Sequence, residues 1–93
     1  MYHVYILLCS DETLYTGVTT DIARRFAEHK EGRGARYTRA HGAKRMLYSE
    51  RKRNRSTAQA REAEIKKMSR AEKIRLITVN TKKAKVDARA KKH

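Results

Sequence analysis

The sequence has a single cysteine, no proline and no tryptophan, few acidic residues and no long apolar run. The lone Cys9 excludes an intramolecular disulfide and a thiol-rich metal site, and it makes the reducing cytoplasm the expected compartment. No apolar stretch approaches the ~18 residues that a membrane-spanning helix needs. The first ten residues lack the basic start and cleavage site of a secretory leader, so none is expected. Nor does an amphipathic stretch rich in Leu, Phe or Trp accompany the charge, which argues against a membrane partner. The absence of proline fits compact elements with short joints.

Positive charge is what the chain has in excess. Lys and Arg number 24 against 10 Asp and Glu, for a net charge of +14 over 93 residues. The excess is uneven: residues 1–30 balance at −1 and residues 31–93 at +15. Such self-repulsion calls for a polyanion to offset it, and nucleic acid is the expected partner. The length allows one domain. With 39% apolar residues and a mean hydropathy of −0.92, most apolar side chains must be committed to its core.

Tyr2 to Cys9 is β-prone and nearly all apolar, which suits a central strand. After the polar break Ser10-Asp11-Glu12, Thr13 to Val18 reads as a second strand, and the two pair most simply as a hairpin. Gly17 inside that strand signals a close backbone approach or a bend. A helix follows to about Lys30, capped by Thr19 or Thr20, with Gly32 as its stop. Glu31 to Lys44 reads as a flexible basic loop, and Arg45 to Glu50 as a third strand. Two capping-box patterns, Ser56 to Gln59 and Ser69 to Glu72, start helices over 57–68 and 70–78. Ala58, Ile65, Met68, Ala71, Ile74 and Ile77 recur at helical spacing and should cover the sheet. The order is β-β-α-β-α-α, an α+β domain over 1–78 with a three-stranded antiparallel sheet flanked by helices. A basic, flexible tail is expected over 79–93.

The informative stretch is Asp21 to His29. In a helix, Arg25 and His29 stack on one face while Ile22 and Phe26 take an adjacent apolar one. Just upstream stand Tyr15-Thr16-Gly17, and ten residues earlier Tyr5. A cation beside an imidazole, next to two phenols, reads as a phosphate-facing site.

Val4-Tyr5, Tyr15-Thr16-Gly17, Arg25, His29 and the later Glu62 resemble, in that order, the GIY-YIG nuclease domain, in particular its small stand-alone bacterial members. The resemblance covers about residues 1–78. The first motif has His3-Val4-Tyr5 for Gly-Ile-Tyr, the second has Thr16 for Ile, and a terminal Pro-x-Tyr-Asn is missing. The resemblance implies a metal-dependent endonuclease that hydrolyses phosphodiester bonds in DNA, branched or damaged DNA in repair or recombination among them. It implies Glu62 as ligand to one Mg2+ or Mn2+ ion, Arg25 as the charge-neutralising donor, His29 as relay or orienting group, and Tyr5 and Tyr15 as water-activating or phosphate-orienting phenols, with Tyr5 ahead as base. Because a free phenol titrates near ~10, that base needs help from the ion and Arg25.

The basic loop is the expected grip, with Arg33, Arg36, Arg39 and Lys44 on phosphates and Tyr37 stacked on an exposed base. DNA stands ahead of RNA as partner, and the protein is expected as a monomer when free, with dimerisation on substrate left open. The bland alternatives are a surface Glu62 paired with Lys66, a solvated Arg25, a helix-capping His29 and ordinary sheet tyrosines. They lead to a non-catalytic nucleic-acid-binding module that works through its charge.

Overall fold

The computed structural model describes residues 1–80. Tyr2–Cys9 (β1) is the centre of the sheet, hydrogen-bonded on one side to Leu14–Thr19 (β2) and on the other to Ala43–Lys52 (β3), both antiparallel. β1 is buried on both sides because its alternate residues enter two different cores. Val4 and Ile6 pack with Tyr48, Ala58 and Ile65, while Tyr5, Leu7 and Cys9 pack with Ile22, Phe26 and Met46. Thus Ile22–Lys30 (α1) covers one face and Arg55–Lys66 (α3) the other.

The helix boundaries differ from expectation at the caps. Asp21, rather than Thr19 or Thr20, caps α1, accepting from Arg24 N at 3.0 Å. Asn54 caps α3 through Thr57 N at 2.9 Å, so that helix starts at Arg55 instead of 57. The Ser69–Glu72 box forms in both directions, Ser69 N to Glu72 Oε1 at 2.8 Å and Glu72 N to Ser69 Oγ at 3.2 Å. It opens a helical stretch over 70–80 (α4). From this stretch Leu76 and Ile77 pack on the core, while Ile74, expected to cover the sheet, is exposed. The tail expected from 79 is helical at 79 and 80, and its residues 81–93 lie outside the described residues.

Inside the expected basic loop, Arg36–His41 forms a short helix (α2). Its lead-in is set by the end of α1, where Gly32 N bonds to His29 O (3.1 Å) and Arg33 N to Glu28 O (2.8 Å), the Schellman pairing, with Gly32 at φ +78°. α3 is tied to the sheet by Arg61, whose Nε lies 2.8 Å from Glu50 Oε1 on β3, and Glu50 also accepts from Tyr48. With Arg61 turned to β3, Glu62, ~100° further round the helix, turns to the β2 side. Among the described residues no helix is long and apolar enough to cross a membrane.

Candidate active site

Tyr5 and Gly17 are partners across the β1–β2 ladder. A Cβ on residue 17 would stand 2.5 Å from Tyr5 Oη and 2.7 Å from Cζ. The phenol therefore lies over bare backbone and reaches toward the outer edge of β2, the close approach that Gly17 signals in the sequence. There its hydroxyl meets His29 Nε2 at 2.7 Å.

His29 sits in the last turn of α1 and is 1% exposed. Its other ring nitrogen, Nδ1, is 2.6 Å from the hydroxyl of Thr38 in α2. Gly34 lies against that edge of the ring, where a Cβ would overlap Nδ1. Burial, and after it the positive charge of Arg25, pulls the His29 imidazole below its usual pKa, against the smaller opposing effect of Glu28. It is therefore neutral at physiological pH. Tyr15 presents its ring edge-on to His29 at 5.5 Å and lies 6.3 Å from Tyr5.

These groups border a cleft of about 500 Å³ whose lining includes Tyr5, Tyr15 and Gly17 from the sheet, Arg24, Arg25 and Glu28 from α1, and Arg55, Gln59 and Glu62 from α3. The two helices pack on opposite faces of the sheet. Their side chains can share one cleft because β2 is an edge strand, and the cleft spans that edge. Within it Arg25 Nη1 meets Glu28 Oε1 at 3.1 Å, and Glu62 Oε2 meets Lys66 Nζ at 3.2 Å. The bland pairing for Glu62 is thus present, yet the carboxylate still borders the cleft.

Four of the expected catalytic residues, Tyr5, Tyr15, Arg25 and Glu62, line one cavity, and His29 stands directly behind Tyr5. The environment of Tyr5 differs from expectation. Burial pushes its phenol up to about 12, with Arg25 beside it pulling the other way but not prevailing. Forming a free phenolate at neutral pH would then take about 7 kcal/mol.

The expected grip is elsewhere. Arg33, Arg36, Tyr37, Arg39 and Lys44 are absent from the cleft lining. Arg33 pairs with Glu31, and Lys44 lies 3.8 Å from Glu12. Arg36 and Arg39 are exposed on α2. Tyr37, expected to stack on a base, already stacks on His41 at 4.1 Å and on Tyr15 at 5.7 Å. In their place Arg24, Arg55 and Gln59 line the cleft. The guanidinium groups of Arg24 and Arg55 enter no ion pair among the described residues. The signal for the α3 pair was in the spacing: 55, 59 and 62 fall at i, i+4 and i+7, one helix face.

Residues 1–75 match the model of the GIY-YIG catalytic domain. The chain belongs to the GIY-YIG family. Its relatives include a UPF0213 protein of Natronomonas pharaonis, 50% identical over 80 residues that make up 86% of this chain and 94% of that one. A UPF0213 protein of Clostridium perfringens is 46% identical over 78 residues, 84% of each chain. Among solved structures, the solution NMR structure of a UPF0213 protein from Bacillus halodurans matches with a TM-score of 0.55 and 40% identity over 85% of each chain. The GIY-YIG assignment carries the nuclease class and agrees with the three-stranded antiparallel sheet flanked by helices.

Proposed function

We propose that this GIY-YIG domain is a metal-dependent endonuclease that hydrolyses phosphodiester bonds in DNA. The observation that supports the reading is the convergence of two phenols, a guanidinium and a carboxylate from four elements into one cleft across the β2 edge.

The donor chemistry suits a hard divalent cation. Among the described residues no three His, Cys, Asp or Glu side chains gather into a metal cage. Of the two carboxylates that border the cleft, Glu28 is held by Arg25, and Glu62 faces an open space with room for a phosphate and water. That is the donor set of an ion such as Mg2+ or Mn2+, which keeps several waters and takes substrate oxygens. Bound there, it would supply Lewis acidity to the phosphoryl group.

The protein's own groups handle the proton. A water at the Tyr5 hydroxyl gives a proton to the phenol oxygen as the phenol proton passes to His29 Nε2. The hydroxide so formed attacks phosphorus, the bond to the leaving sugar oxygen breaks, and that oxygen takes a proton from solvent. Because the phenol receives one proton as it gives up another, no free phenolate forms. Arg25 donates hydrogen bonds to the non-bridging oxygens as their charge grows. Arg24 and Arg55, on opposite walls, take neighbouring phosphates.

The test is nicking of linear, flapped and branched DNA with Mg2+ or Mn2+. Arg25→Ala and Glu62→Ala should each lower the rate by about 100- to 1,000-fold, with DNA binding largely retained. Wild-type protein that binds every substrate of the panel and cuts none with either ion overturns the proposal. That outcome would support the non-catalytic binding module, which draws on the net charge of +14.

A further inference from the structure

The hydrogen-bond chain behind Tyr5 has a direction. Thr38 Oγ1 donates to the Ala35 carbonyl at 3.0 Å. A hydroxyl has one hydrogen, and a carbonyl can only accept. With its hydrogen so placed, Thr38 can only accept from His29 Nδ1, 2.6 Å away. With Thr38 donating to Ala35, Nδ1 is the protonated nitrogen. A neutral imidazole has one N–H, so Nε2 carries a lone pair, and Tyr5, 2.7 Å from it, must be the donor. His29 and Thr38 are each 1% exposed and lie outside the cleft lining, so bulk water does not compete for the bond between them.

We infer that Thr38 is a positioning residue: it locks His29 as the Nδ1–H tautomer and thereby sets the direction in which the Tyr5 proton can leave. The opposite tautomer would turn an N–H toward Tyr5 and require the Thr38 hydroxyl to give up Ala35. In the locked form, a proton arriving at Nε2 makes an imidazolium whose second N–H is already paired with Thr38. No ring rotation or tautomer exchange is needed. The tautomer rests on Thr38 giving its hydrogen to Ala35; its kinetic consequence rests on the nuclease reading above.

Two readouts test it. The first is 15N NMR of the full-length protein labelled in its histidine rings, at a pH where His29 is neutral. The wild type should show the bare, strongly deshielded nitrogen at Nε2, and Thr38→Ser should preserve that pattern. Thr38→Val should turn it into a mixture of tautomers. A wild type with the bare nitrogen at Nδ1 overturns the lock without reference to any variant or to activity. The second readout is kinetic. Where the wild type cuts DNA, Thr38→Val should lower kcat about 10- to 100-fold with little change in KM, and Thr38→Ser should restore most of the loss. A Thr38→Val protein with altered tautomer and undiminished kcat would overturn the directional role. Should the wild type cut nothing, the nuclease reading falls and the NMR outcome still decides the lock.

Discussion

Two glycines and a threonine do for the site what its reactive residues cannot do for themselves. Gly17 leaves the space in which the Tyr5 ring lies, and Gly34 leaves the edge of the His29 ring free to meet Thr38. The price of that packing shows in the phenol, which burial pushes up to about 12. This has a measurable consequence at alkaline pH. Above pH ~10 the unfolded chain releases the Tyr5 proton, whereas the folded protein holds it until about 12. The stabilisation is complete below the unfolded value and is lost as pH rises through the folded one, about 3 kcal/mol in all. Urea unfolding at pH 9 and pH 11 should show the wild type losing more stability than Tyr5→Phe across that interval. Equal losses in the two proteins would contradict the raised value.

At the scale of elements, α3 matters for where its anchored side turns the rest. Arg61 is held by Glu50 of β3 and by Glu64, at 2.8 Å each, with its side chain 23% exposed. Arg61→Ala should cost about 1–3 kcal/mol of stability, read by urea or thermal unfolding. Cleavage should weaken beyond the unfolded fraction, because Glu62 loses its orientation. Arg61→Lys, able to keep one ion pair, should lie between.

The strands and the long helices were legible because an apolar alternation or a capping pair marks them. Ser69 and Glu72 form the pairing their spacing implies. The start of α3 is legible only to within two residues, because Asn54 and Ser56 are both good capping residues and local sequence does not choose between them. α2 left no such mark. It has six residues and no side-chain cap at its start, and the contacts that seat it on the rest of the protein are tertiary, Thr38 to His29 and Tyr37 to Tyr15. The motif residues of the site could be found because the family pattern carries them. Arg24, Arg55 and Gln59 lie outside that pattern, and only the docking of two helices at one sheet edge brings them into one cleft with Tyr5.

Over the whole molecule, charge and topology act together. The net charge of +14 attracts any polyanion, but among the described residues the cleft brings together two guanidinium groups without an ion pair, on walls from opposite faces of the sheet. Binding of the Glu62→Gln protein, in which the proposed chemistry is removed, to duplex DNA should fall linearly with log salt concentration. Adding Arg24→Ala or Arg55→Ala should reduce that slope by about 1 each. The same change at Arg70, exposed at the start of α4, should alter the slope less. Equal effects at all three positions would mean that charge alone, without the cleft, sets the grip.

The placement of the cleft across β2 also bears on synthesis. Tyr5, Tyr15, Arg25 and His29 leave the ribosome well before the helix that bears Glu62, and that helix must dock on the far face of the finished sheet before the last wall stands. On the proposed chemistry, a nascent or truncated chain could hold phosphate but not cut it. Hydrolytic competence would arrive in one step, with the completed fold as its safety catch.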